Sequence, residues 1–103
     1  MAKTVSVDVS HSQDRETVKR KIEENAAKYD EMLSQKGVRT DHRWEGDTMH
    51  LTASALGQTA HAVTTVLDDK VHVEVSLPFL LSRFAEPLAK RLKKEGQTLL
   101  ARP

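Results

Sequence analysis

The stretch VRTDHRWEGDTMHLTASALGQTAHAVTTVLDDKVHVEVSL, residues 38–77, decides the fold. Val38, Thr40, His42 and Trp44 alternate with Arg39, Asp41, Arg43 and Glu45, so the charged set faces water and the other set faces a core. Gly46-Asp47 suits a two-residue hairpin with glycine first, which places Trp44 opposite Met49 and His42 opposite Leu51. Met49, Leu51, Ala53 and Ala55 then continue the inner face, with His50, Thr52 and Ser54 outside. A turn at Gly57-Gln58 brings Ala60, Ala62, Thr64 and Val66 onto the same face. A further turn at Asp68-Asp69-Lys70 adds Val71, Val73, Val75 and Leu77. Four strands thus agree on one buried side, and that agreement specifies which side of each strand is inside.

Outward from this meander, Val5, Val7 and Val9 alternate with Ser6 and Asp8 as a further half-buried strand, which could join either edge. Ser12 is the expected N-cap of a helix of about six turns, with Asp14 and Glu16 in its first turn. Its apolar stripe is Val18, Ile22, Ala26, Tyr29 and Leu33, with Met32 beside it, and Gly37 follows its end. Beyond the meander, Leu77-Pro78 ends the sheet because proline has no donor for the ladder. Leu80, Phe84, Leu88 and Leu92 then recur at helical spacing, and Pro87 places the start of the helix proper near Ala85. The expectation is an α+β fold in the order β-α-β-β-β-β-α: an antiparallel sheet of about five strands with helices on one face. Its 103 residues fit a single domain, 1–103, with about 97–103 as a flexible tail.

Composition excludes several classes of function. There is no cysteine, so thiolate chemistry and cysteine-based zinc sites are absent. Sixteen Lys and Arg against fifteen Asp and Glu leave a formal charge of +1, too little for general nucleic-acid binding. No apolar run approaches the roughly 20 residues of a membrane span. The start lacks an apolar signal core, which points to the cytoplasm.

Five histidines invite a metal or acid–base reading. The register above sets His61 across from Ser54, His72 across from Leu67 and His50 near Thr65, so they do not converge on one ion. Glu74 and His50 are two strands apart with Thr65 between them, too far for direct proton transfer. No catalytic residue, metal ligand or cofactor motif is identified, and the expectation is a protein that is not an enzyme.

Two binding regions stand out instead. His42 and Trp44 sit on the core-facing side: His42 is expected to have a backbone partner and Trp44 to pack on Met49. The small Ala53, Ala55, Ala60 and Ala62 beside them either allow close approach of the long helix or leave room for an apolar ligand between helix and sheet. The C-terminal segment from residue 83 carries Arg83, Lys90, Arg91, Lys93, Lys94 and Arg102 against Glu86 and Glu95, a net +4, beside an apolar face. Leu77–Leu81, Phe84, Leu88 and Leu92, with cations beside them, have the pattern of a helix lying on an apolar surface. Leu80, Leu81, Phe84, Leu88 and Leu92 are the surface-binding candidates. The competing reading is a docked core helix with a solvated basic face.

His11-Ser12 after a valine-rich strand, Trp44-Glu45-Gly46-Asp47, Val71-His72-Val73-Glu74-Val75, and Leu77-Pro78-Phe79-Leu80-Leu81 before a basic helix follow one another in order. Over residues 5 to 95 this resembles the small bacterial polyhydroxyalkanoic acid system proteins, also described as polyhydroxyalkanoate granule-associated. The resemblance implies a process, storage of a polyester in granules, and supplies no catalytic residues. Pro87 and the tail from Gln97 depart from its pattern. Combined with the apolar C-terminal segment, it implies an accessory protein whose partner is the granule surface or a granule protein. The alternative is a module binding an apolar molecule such as a hydroxyacyl chain. Nucleic-acid binding ranks third, because the outer sheet face offers no aromatic platform. Oligomeric state is left open.

Overall fold

The computed structural model describes residues 3–100, and the alternating stretch 38–77 forms its centre as four antiparallel strands. These are β2 (Arg39–Glu45), β3 (Thr48–Ala55), β4 (Gln58–Val66) and β5 (Lys70–Leu77). The first strand, β1 (Lys3–Ser10), pairs antiparallel with β5, so the sheet order is β1-β5-β4-β3-β2. Val5, Val7 and Val9 lie opposite Val75, Val73 and Val71, which stacks two valine rows on one face.

Because β1 and β2 occupy opposite edges, the connection between them must cross the whole sheet. Five strands are about 19 Å wide, and α1 (Arg15–Gln35, 21 residues) is about 31 Å long, enough to cross diagonally. It packs on β2 and reaches β4. A 3₁₀ segment (Phe79–Phe84) then leads into α2 (Ala85–Leu100), which lies on β1. Both helices cover the same face, and no element of the described residues covers the polar face of the sheet.

The hairpin at Gly46-Asp47 forms as expected, with Trp44 opposite Met49 and His42 opposite Leu51, and Gly46 carries the positive φ of 63°. The next turn differs. It is Leu56-Gly57, both residues left-handed (φ 53° and 77°), so Ala55 pairs with Gln58 and Thr52 with His61. The pairing of β3 with β4 is therefore two residues away from the expected one, and that of β4 with β5, set at its own turn, differs by two as well. A shift of two keeps every side chain on its own face, so hydrophobic alternation alone cannot choose between the registers. The turn chooses: two left-handed residues match the twist of the strands, and glycine takes the second of them.

The helix starts also have local causes. Asp14, not Ser12, precedes α1, because residues 11–13 are held in a separate turn by His11. The main helix of the C-terminal segment starts at Ala85, so Pro87 falls in a first turn whose N–H groups have no partner within the helix. It continues through Gln97–Leu100, residues expected to form a tail. Leu100 is buried with Val7, Val9, Val18, Val66 and Val71. Residues 101–103 of that expected tail lie outside the described residues. Gly96 permits the close approach of α2 to β1, since a Cβ there would stand 2.8 Å from Val9 Cγ2.

Candidate functional site: a stapled end and an apolar end

The topology gives the sheet two chemically different ends. The Gly46-Asp47 turn, the β4–β5 turn, the start of α1 and the last residue of α2 share one end. Polar contacts tie these pieces together. Arg15 of α1 donates to Asp47 (2.5 Å) and to Asp68 (2.7 Å), joining two turns, and Lys19 approaches Asp47 at 3.5 Å. The Arg15 guanidinium, with help from Lys19, holds the Asp47 carboxyl below the usual carboxylate range. His11 is buried here. Its Nδ1 accepts the Gln13 N–H at 3.1 Å, so its proton sits on Nε2, which donates to the Leu67 carbonyl at 2.8 Å. Gln13 in turn donates to the Leu100 carbonyl at 2.7 Å, satisfying one acceptor at the end of α2. His11 and Gln13 therefore act as the structural joint between the first strand and both helices.

At the other end lie the Leu56-Gly57 turn, the last turn of α1 and the exit of β5 at Pro78. The large hydrophobic side chains that are exposed among the described residues all belong to this end: Leu56 (100%), Phe79 (65%), Leu80 (63%), Phe84 (48%) and Met32 (42%). They come from three separate segments. Leu56 caps the β3–β4 hairpin, Met32 belongs to the last turns of α1, and Phe79, Leu80 and Phe84 belong to the 3₁₀ segment. Pro78 ends the ladder of β5, and the Leu81 N–H then closes back on the Pro78 carbonyl at 2.9 Å, which starts that segment. The Arg83 guanidinium lies over the Phe84 ring, 5.0 Å from its centre.

The surface candidates thus divide. Leu80 and Phe84 project outward. Leu81, Leu88 and Leu92 are half-buried and pack against Val75, Leu77 and Ala85 of the core, and Leu77 itself is buried. Leu56 and Met32 are not among the candidates the sequence offers; Leu56 has no role there, and Met32 stands beside the apolar stripe of α1. Only the register and the crossing of α1 bring them to the end where the 3₁₀ segment emerges.

His42 and Trp44 point to the inner face, toward α1. The Trp44 indole N–H donates to Glu23 Oε1 at 3.0 Å, and His42 Nε2 donates to Glu23 Oε2 at 2.7 Å. The partner of His42 is thus a carboxylate on the crossing helix, not the backbone, because α1 reaches the β2 edge. Lys19 stands 5.3 Å from the Trp44 ring centre. One carboxylate fixes both candidate ligand residues in place. Beside them Ala53, Ala55, Ala60 and Ala62 are only half-buried, so the helices leave this part of the inner face partly uncovered.

On the bare face, His50 lies opposite Val63 and His61 opposite Thr52, so the two imidazoles are diagonal neighbours across β3 and β4. They border a shallow hollow of about 350 Å³ with Arg43 and Asp41. Val63, not Thr65, separates His50 from Glu74, which still leaves them two strands apart. His72 stands opposite Thr65, not Leu67, and between two carboxylates: Asp8 at 2.6 Å and Glu74 at 3.2 Å. The Asp8 hydrogen bond, then that of Glu74, raises the His72 pKa, and the same contact lowers that of Asp8.

No helix of the described residues is long and apolar enough to cross a membrane. No curated protein and no solved structure matches the chain. The family model described as "Putative polyhydroxyalkanoic acid system protein" matches residues 5–100. With both helices, strands β2 to β5, most of β1 and the apolar end inside the matched span, the chain belongs to this family of the polyhydroxyalkanoate system.

Proposed function

We propose that the protein is a non-enzymatic, cytoplasmic accessory of polyhydroxyalkanoate storage, and that it adsorbs reversibly to the polyester granule through its apolar end. The observation that carries this reading is the concentration of the exposed large hydrophobic side chains at one end of the sheet. Phe79, Leu80 and Phe84 project at the end that also carries Leu56, while Leu81, Leu88 and Leu92 anchor the segment to the core. A polyester granule is an apolar body in water, so it takes such a surface by the same burial that drives interfacial helices. Each of the exposed side chains retains about 1–2 kcal/mol of burial to gain. Four together reach at most about 4–8 kcal/mol before immobilisation costs, so the dissociation constant is no tighter than about micromolar. Adsorption of that strength is reversible. Arg83 keeps its charge in water while its stem and the Phe84 ring lie against the surface.

The test is pelleting with purified granules. The variant Leu80→Asp/Phe84→Asp removes two of the four anchors and places charge at the interface, so at least about a 100-fold loss of affinity is expected. Because both side chains are exposed, far-ultraviolet dichroism and Trp44 emission should be unchanged. Pelleting equal to wild type would overturn the reading.

A second reading, a hydroxyacyl chain held between helix and sheet beside Trp44, draws on the half-buried alanines of β3 and β4. It predicts saturable quenching of Trp44 by a medium-chain hydroxy acid. Absence of any spectral change at saturating acid would exclude it.

A further inference from the structure

An open groove of about 740 Å³ runs between α1 and α2. It follows α2 from residue 87 to residue 99, about 18 Å at 1.5 Å per residue, and is bordered on the other side by Tyr29 of α1. The one carboxylate that lines it is already occupied. Glu95 accepts from the Tyr29 hydroxyl at 2.6 Å and from Arg91 at 3.0 Å. Lys90 and Lys94 make no ion pair among the described residues. At i and i+4 they stand roughly 6 Å apart on one side of the helix. Tyr29, Pro87, Leu99 and the lysine stems give the groove an apolar lining, and the two unpaired ammonium groups stand along its α2 side.

We propose that this groove docks an acidic amphipathic helix of a partner protein. Charge complementarity sets the sign of the occupant, and the shape of the groove sets its class. A small molecule draws its affinity from enclosure of about 70–90% of its surface, which a groove open along its length does not provide. A helix gains burial by length. Three turns along the groove place apolar side chains at i, i+3, i+4 and i+7 on the floor and carboxylates beside Lys90 and Lys94. A second copy of this chain does not supply such a helix, since α1 carries five basic and five acidic residues and α2 four basic against two acidic. The groove lies along the helices rather than at the apolar end, so docking is independent of granule adsorption and measurable in its absence.

The experiment titrates the isotope-labelled full chain with a synthetic peptide of about 15 residues, leucine at the four floor positions and glutamate on the flanks. A counterpart with lysine for glutamate is the control. The glutamate peptide is expected to shift the amide signals of Tyr29, Lys90 and Lys94. Lys90→Glu/Lys94→Glu should weaken it at least tenfold and admit the lysine peptide instead. If that variant melts early, Lys90→Gln/Lys94→Gln should still weaken the glutamate peptide while leaving the lysine peptide excluded. The proposal is overturned if the glutamate peptide does not bind, if both peptides bind alike, or if the shifts centre on Phe79–Phe84. Displacement of the peptide by duplex DNA at equal concentration would also overturn it, by showing a general anion site.

Discussion

Gly96→Ala measures whether α2 is seated on the sheet, because the two possible answers have opposite signs. In a helix detached from β1, alanine in place of an interior glycine stabilises by about 1 kcal/mol. In the docked structure the new Cβ stands 2.8 Å from Val9 Cγ2, 3.5 Å from Cγ1 and 3.6 Å from Cβ. Carbon atoms pack at about 3.5–4.0 Å, so the closest contact must open by well over half an ångström. Val9 is buried, and its branched side chain is restricted at χ1, so the strain falls on the helix–sheet spacing. Overpacking of this kind costs about 1–3 kcal/mol, for a net loss of about 0–2 kcal/mol once the helix propensity is credited. The assay is urea unfolding followed by Trp44 emission, run also in a Val9→Ala background. Val9→Ala should itself cost about 2 kcal/mol. In that background the clashing methyl groups are gone, so Gly96→Ala should stabilise by about 1 kcal/mol. A coupling of about 1–3 kcal/mol between positions 9 and 96 is therefore expected. Equal stabilisation by Gly96→Ala in both backgrounds would refute the docking of α2 on β1.

Three further outcomes are expected. His11→Ala leaves the Leu67 carbonyl and the Gln13 N–H without their partner at a buried site, and should lower stability by about 2–3 kcal/mol in the same urea assay. Glu23→Ala removes the common acceptor of His42 and Trp44, should cost about 1–2 kcal/mol, and should shift Trp44 emission as the indole N–H is released. The Asp8–His72 contact should give a pH-dependent share of stability: what the raised His72 contributes is complete below its ordinary 6.5 and fades as pH rises through the raised value, while what the lowered Asp8 contributes is complete above its ordinary 3.8 and fades as pH falls through the lowered one. Nuclear magnetic resonance titration should therefore find His72 above its ordinary value, and Asp8→Asn should return it toward that value; a His72 titration unmoved by Asp8→Asn would contradict the pairing.

Much of the fold is legible in residues 38–77, because a strand with one buried face must alternate and four strands must agree. That constraint acts on parity. It therefore reads the inner and outer residues correctly but not the registers, of which that between β3 and β4 is set by the two left-handed residues Leu56-Gly57 and that between β4 and β5 by the turn closed by the Leu67 N–H on the Lys70 carbonyl. The valines of β1 suit either edge, so its place beside β5 follows only from the full assembly. The cap of α1 lies at Asp14 rather than Ser12 because His11 holds the Gln13 N–H locally while reaching the Leu67 carbonyl, a partner distant in sequence. Leu80 and Phe84 stand out in the sequence because proline ends the strand just before them. Leu56 and Met32 do not, since each is unremarkable in its own segment and gains meaning only from sharing an end. Glu23 carries no local signal either; its role follows from α1 crossing to the β2 edge.

The central claim is that the apolar end, and not the stapled end, meets the granule. The chain has no cysteine, so single-cysteine variants can each carry one environment-sensitive dye. Leu56→Cys and Leu80→Cys report on the apolar end, and Asp69→Cys on the stapled end. On addition of polyester particles, the dye at positions 56 and 80 should shift to the blue, the dye at 69 should not, and the shift should persist in about 0.5 M salt, where surface charge is screened. No shift at 56 and 80, or an equal shift at 69, would contradict it.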